Sequence, residues 1–194
     1  MQQLSHQQAL ERLLVGNRRY AAMRQVHPRQ TTIHRESLVE GQHPFAAILS
    51  CSDSRVPSEL IFDQGLGDLF IVRTAGHAVN ALVLASLEFA VFALHVPLVM
   101  VVGHGQCGAV AAVMKGQTLP GHLPQLVAEL RPGIEAVEPG SDDALDRAIK
   151  ANSRYIAREM VTISPVLNEA VRDGHIRIVP AFYDLVSGRV DVLE

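Results

Sequence analysis

Two short segments of the chain hold residue types that bind metals. Cys51-Ser52-Asp53-Ser54-Arg55 carries one of only two cysteines; His104-Gly105-Gln106-Cys107, whose histidine stands fifty-three residues after Cys51, carries the other. Thiolate and imidazole are donors well suited to Zn²⁺. Three protein ligands leave one tetrahedral position free, which distinguishes a catalytic zinc from a structural one. Two thiolates and a neutral imidazole cancel the charge of the ion, and a water in the free position is acidified toward the physiological range. Thiolates donate more charge than imidazoles, so that water should be less acidic than on a zinc held by three histidines. Activity is then expected to favour alkaline pH.

Asp53 and Arg55 follow Cys51 by two and four residues. The carboxylate is close enough to accept a hydrogen bond from the water or to reach the free position itself. Arg55 offers a planar fork that can hold Asp53 bidentately and turn it away from the metal. With Asp53 on Arg55 the site is open; with Asp53 as a fourth ligand it is closed. Taken singly, each residue has an ordinary explanation: a packed thiol, a hydrogen-bonded histidine, a surface ion pair. Their combination at the ends of strands points to a metal site. His6, His27, His34, His43, His95, His122 and His175 lack such company and are read as surface or structural.

The elements that must position these residues alternate between strand and helix. Phe45 to Ser50 is a continuous apolar run, as expected for a strand buried on both faces, and it delivers Cys51 at its C-terminal end. A short helix from Pro57 to Phe62, a strand from Asp68 to Arg73, a helix from Asn80 to Leu94 and a strand from Leu98 to Val102 follow. The last of these leads to His104, and Cys107 begins a helix reaching Lys115. In an open parallel sheet, ligands collect at the carboxyl ends of the strands, where both halves of the site arrive. Further helices are expected at Leu123–Val137, Ser141–Val161 and Pro165–Arg172, with a loop at Pro139-Gly140-Ser141. A long strand, His175–Phe182, turns back through Ser187-Gly188 into Arg189–Leu193.

The expected fold class is thus α/β: a mostly parallel sheet of about four parallel strands plus an antiparallel edge strand, flanked by helices. One domain over 1–194 is the prior for this length, with a helical arm at 1–41 and an α/β core at 45–194. In the arm, Ser5 to Gln25 gathers Leu10, Leu13, Leu14 and Val15 on one side. That stripe could pack on a second subunit as readily as on its own chain. His34 to Glu40 reads as a short helix closed by Gly41.

A net charge of −3 gives no reason to expect a nucleic-acid partner. Two cysteines cannot build a disulfide framework, which favours a reducing compartment. Met1 to Leu10 is too polar for a secretory signal, so the expected location is the cytoplasm. Ala81 to Val102 is apolar over nearly a bilayer's length, yet Ser86, Glu88, His95 and Pro97 interrupt it, and a buried helix followed by a buried strand is expected instead of a membrane span.

Cys51-Ser-Asp-Ser-Arg55-Val56-Pro57, Asp63-Gln-Gly-Leu-Gly-Asp68, Ser86-Leu-Glu88 and Gly103-His-Gly-Gln-Cys107-Gly-Ala-Val110 together resemble the β-class carbonic anhydrases. The resemblance runs from the N-terminal helix to Gly188-Arg-Val. It implies one zinc per subunit on Cys51, His104 and Cys107, with Asp53 and Arg55 as a catalytic dyad. The implied reaction is the reversible hydration of carbon dioxide to bicarbonate and a proton by attack of zinc-bound hydroxide. It also implies an N-terminal arm embracing a partner, in a homodimer or homotetramer with the active site near the dimer interface.

By the same resemblance, Gln42 corresponds to an amide that hydrogen-bonds the substrate, and Phe70, Ala75 and Phe89 to the lining of a narrow apolar pocket. Such a pocket suits a small, linear, uncharged molecule. The N–H of Gly108 is a further candidate contact. Phe89 stands where a tyrosine is common. His77 replaces a frequent asparagine, as either a proton shuttle or a packing substitution, of which packing is favoured. Pro180 replaces a common glycine in the last long strand and suggests an edge position or a bulge. Ile48 stands where the bicarbonate-regulated members carry tryptophan, so no switch of that kind is expected. Two other functions fit the same ligands: hydrolysis of carbon disulfide or carbonyl sulfide, and a non-catalytic zinc or redox module.

Overall fold

The computed structural model describes residues 4–194 apart from Pro139 and Asp142. Five strands form one sheet: β1 (Ala46–Cys51), β2 (Leu69–Thr74), β3 (Leu98–His104), β4 (Arg177–Tyr183) and β5 (Val190–Val192), in the order β2-β1-β3-β4-β5. The first four are parallel, and β5 returns antiparallel to β4. Every residue of β1 and β3 is buried, as their apolar runs require, whereas β2 at the edge is half-buried throughout.

The helices are α1 (His6–Ala21), α2 (Thr32–Ser37), α3 (Ser58–Ile61), α4 (Ala81–Phe92), α5 (Gly108–Met114), α6 (Leu123–Ile134), α7 (Ala144–Ile163) and α8 (Pro165–Arg172). One core cluster joins Ile48 and Met100 of the sheet to Leu13 of α1 and Val110 of α5. The other joins Leu49 and Val101 to Leu87 of α4 and Met160 of α7. The apolar segment at 81–102 divides into α4 and β3, and no helix among the described residues is long and apolar enough to cross a membrane.

Several boundaries differ from expectation for local reasons. Helix α2 starts earlier because Thr31 Oγ1 accepts the His34 N–H. Strand β3 continues through Gly103 and His104 because β4 supplies Phe182 and Tyr183 as partners. Cys107 caps α5 instead of opening it. Of the loop expected at 139–141, Pro139 lies outside the described residues. Pro180 is in no bulge, since β4 pairs with β3 in unbroken register, and it stands at a locally open edge, because β5 pairs only with Ala181–Tyr183. Its carbonyl accepts from Leu193 on the β5 side. Its missing donor faces that same side, where β5 has ended, so no ladder bond is lost.

The N-terminal helix packs on its own chain. A capping box between Ser5 and Gln8 starts α1, and Ala9 and Leu13 are fully buried against the first core cluster. At Gly16 a Cβ would come within 1.8 Å of the Phe62 carbonyl oxygen, so helix backbone meets loop backbone. Asn17 donates to the carbonyls of Ile61 and Gly188 and accepts from the Val190 N–H. Arg19 reaches the buried Asp63, which also accepts from Val26 and His27. Burial pushes the Asp63 carboxyl up, but these donors outweigh it and hold the group below its ordinary value. Val15 of the leucine-rich stripe is left exposed.

Candidate metal centre

Strands β1 and β3 are adjacent and parallel, so Cys51 and His104 end side by side at the carboxyl edge of the sheet. A tight loop, with Gly105 N–H on the Tyr183 carbonyl and Gln106 at φ 56°, then brings Cys107 back to them. The ligating atoms of Cys51, His104 and Cys107 all lie within 4.8 Å of one another, and all three residues are buried. His104 Nδ1 lies 2.8 Å from the Gly105 carbonyl, a contact that needs the proton on Nδ1. Nε2 is then a lone-pair donor, and it is a buried atom with no hydrogen-bond partner among the described residues. An imidazole oriented by its own backbone and offering its other nitrogen to two sulfurs fits a zinc site.

The sulfurs show the same preparation. Cys107 and His104, with the Gly76 N–H 3.3 Å from Cys51 Sγ, draw the Cys51 thiol far below its ordinary value against the effect of burial. The hydrogen bond from Cys107 to the Cys51 sulfur, with burial, pushes the Cys107 thiol up. Without metal, one sulfur holds the charge and the other the proton; a divalent cation removes the conflict.

Beside the ligands, Arg55 holds Asp53 through three donors: its backbone N–H (2.9 Å), Nε (2.9 Å) and Nη2 (2.7 Å). That grip, chiefly the guanidinium, keeps the Asp53 carboxyl well below the usual carboxylate range. Asp53 Oδ2 stands 3.9 Å from His104 Nε2, next to where a metal would sit. Arg55 is half exposed, so the pair adds little to stability, and what it fixes is direction.

A model of the carbonic anhydrase family matches residues 46–190, which include all three ligands and the Asp53–Arg55 pair. The chain belongs to the β-class carbonic anhydrase family. It is 40% identical over 188 residues to carbonic anhydrase 2 of Mycobacterium tuberculosis, an alignment covering 93% of this chain and 89% of that one. Among solved structures it resembles the β-carbonic anhydrase CafA of Aspergillus fumigatus, with 29% identity and a TM-score of 0.76 over 95% of this chain and 90% of the other. It also shares its fold, at 23% identity and a TM-score of 0.76, with two tetrameric β-carbonic anhydrases of Sordaria macrospora, covering 95% and 96% of the two chains.

Within this β-class fold, the remaining expected site residues divide into two groups. Ala75 follows Thr74, the register partner of Cys51, and opens the 3-10 turn Ala75–His77. Gly108 is exposed at the start of α5, where a Cβ would meet nothing within 4 Å. Both border the metal centre. Gln42 does not: it is exposed ahead of β1, whose six residues span about 20 Å and carry the chain to the opposite edge of the sheet. Phe70 pairs with Ala47, four residues before Cys51, and its ring packs on Phe89 at 6.3 Å, away from the ligands. A cleft of about 1080 Å³ between Ser5, Phe92, Pro97 and His175 contains no metal ligand.

The sequence reading overlooked Arg73. Its Nε donates to the Cys51 carbonyl at 2.9 Å and its Nη2 to the Asp53 carbonyl at 2.6 Å, fixing the backbone between ligand and dyad. The available signal was an arginine ending an otherwise apolar strand.

Proposed function

We propose that this chain catalyses the reversible hydration of carbon dioxide, CO₂ + H₂O to HCO₃⁻ + H⁺, using one zinc held by Cys51 Sγ, His104 Nε2 and Cys107 Sγ. The observation that carries this is the buried Cys-His-Cys triad with an unpartnered imidazole nitrogen, in a member of the carbonic anhydrase family. Bound there, zinc supplies the Lewis acidity that makes water a competent nucleophile near neutral pH. Asp53, kept ionised by Arg55, can only accept hydrogen bonds. With zinc bound, it would accept a hydrogen bond from a water in the fourth position and so orient a lone pair of that water toward carbon dioxide. Arg55 holds the carboxylate off the metal position, and Arg73 fixes the loop that carries it. Stopped-flow hydration on protein of known zinc content should show zinc-dependent turnover that rises from pH 6.5 to 9. A preference for carbonyl sulfide or carbon disulfide, or full zinc with no turnover at any pH, would overturn this reading.

The working unit is a two-fold dimer. Helix α4 exposes Leu82, Phe89 and Phe92 in one stripe, at 79%, 52% and 76%, beside the unpaired edge of β2. An apolar helix with so much of its surface in water calls for a partner. Two-fold pairing along this edge runs the two sheets in opposite directions. The end of one chain that carries Gln42, Phe70 and Phe89 then meets the end of the other that carries the metal. Free thiols at both cysteines suit a reducing compartment, and the cytoplasm is where we place the reaction.

Subunit mixing tests the crossing. Cys51→Ala destroys the metal site and leaves Gln42 intact; Gln42→Ala does the reverse. If Gln42 serves the partner's metal, re-assorted mixtures contain about half hybrid dimers with one fully native site each, and activity returns to about a quarter of wild type. If Gln42 acts within its own chain, or not at all, mixing adds nothing to the average of the two parents.

A further inference from the structure

His77 is completely buried and retained at two structural costs. Its φ of 50° lies in the left-handed region, where a non-glycine residue is strained, and its Nδ1 has no hydrogen-bond partner among the described residues. Packing alone gives no reason to keep either cost. Strain of this kind, held in place by surrounding structure, gathers around functional sites.

What surrounds His77 is a polar clamp on α7. Asn152 Nδ2 donates to His77 Nε2 at 3.0 Å and to the Gly76 carbonyl at 3.4 Å, and Ser153 Oγ lies 3.3 Å from the same ring nitrogen. Asn152 and Ser153 are themselves fully buried. Between His77 and the metal centre stands Gly76, whose N–H points at Cys51 Sγ from 3.3 Å. A Cβ on Gly103, the residue before His104, would meet Ser153 Oγ at 2.5 Å and His77 Cε1 at 3.3 Å. The clamp therefore packs against both strand ends that supply ligands.

We propose that His77, held by Asn152 and Ser153, is a positioning residue that sets the donor strength of Cys51 by fixing the Gly76 N–H on its sulfur. The proposal rests on the reading of Cys51, His104 and Cys107 as metal ligands. An N–H directed at a thiolate withdraws charge from it, so the sulfur gives less to the metal and the water in the fourth position becomes more acidic. Two thiolates would otherwise make that water a poor acid near neutral pH. The clamp offsets part of that effect at one sulfur.

Cobalt(II) in place of zinc reads the sulfur directly through its thiolate-to-cobalt charge-transfer band. In His77→Ala the band should move to lower energy, because the sulfur regains the charge that the Gly76 N–H had withdrawn. Asn152→Ala, which changes no residue of the 75–77 turn, should shift the band the same way and keeps the test open if His77→Ala folds poorly. His77→Gln places an amide oxygen where Nε2 accepts from Asn152 and should restore the wild-type band. An unchanged band in folded His77→Ala or Asn152→Ala would reduce the clamp to packing. No charge-transfer band in the wild-type protein would overturn the ligand assignment itself, a failure distinct from that of the clamp.

Discussion

Replacing His104 by alanine should abolish carbon dioxide hydration and leave the sheet intact. His104 ends a strand that is buried throughout and paired along its length with β4, so the backbone does not depend on the imidazole. The imidazole supplies the one neutral donor, and the Gly105 carbonyl fixes the nitrogen it offers. Without it, two sulfurs remain and no third donor from the triad. Zinc content measured by mass spectrometry should drop well below one per chain. Hydration should lose nearly all of its enzymatic acceleration, roughly 10⁶-fold at the low end of such accelerations. Cys107→Ser should behave similarly, because a hydroxyl is a poor substitute for a thiolate at zinc. A His104→Ala protein with full zinc and measurable hydration would show that the metal sits elsewhere.

The parts of this protein that were legible in its sequence are those where one physical requirement dominates. Phe45 to Leu49 and Leu98 to Val102 can be little other than strands buried on both faces, and strands of that kind run parallel beneath helices. The metal ligands were legible because cysteine is scarce here, with one copy ending a strand and the other three residues after a histidine that ends the next buried one. The docking of α1 was not legible. A leucine stripe says that a helix must be covered and does not say by what. The deciding contacts belong to Gly16, valued for having no side chain, and to Asn17, whose three partners are backbone groups far away in sequence. Pro180 was legible in part: it pointed to an edge position, and that edge exists only because the three-residue β5 stops one position short of it. Gln42, Phe70 and Phe89 sit close to the motifs in sequence and far from the ligands in space, because the length of a strand separates the two edges of the sheet.

Removing the carboxylate of Asp53 should cost hydration about 10²- to 10³-fold with zinc retained. Asp53 is not a member of the triad whose donors lie within 4.8 Å, so its loss leaves the metal held. What disappears is the ionised acceptor that orients the attacking water beside His104. The grip of Arg55 holds that carboxyl far below the neutral range, so it stays ionised from pH 6.5 to 9, and its own titration cannot produce a rise in activity over that interval. Asp53→Asn should therefore lower the whole pH profile and leave a rise with pH in place. Arg55→Ala is the complementary change. It removes two of the three donors on Asp53, leaving only the backbone N–H, and frees a carboxylate already 3.9 Å from His104 Nε2 to enter the metal's fourth position. The loss should be of similar size, but here the carboxylate itself becomes the inhibitor. The double variant Arg55→Ala/Asp53→Asn should be no slower than Arg55→Ala alone, because the blocking group has gone. If the two losses instead multiply, Arg55 acts on the substrate independently of Asp53, and the open and closed arrangement of the dyad is wrong.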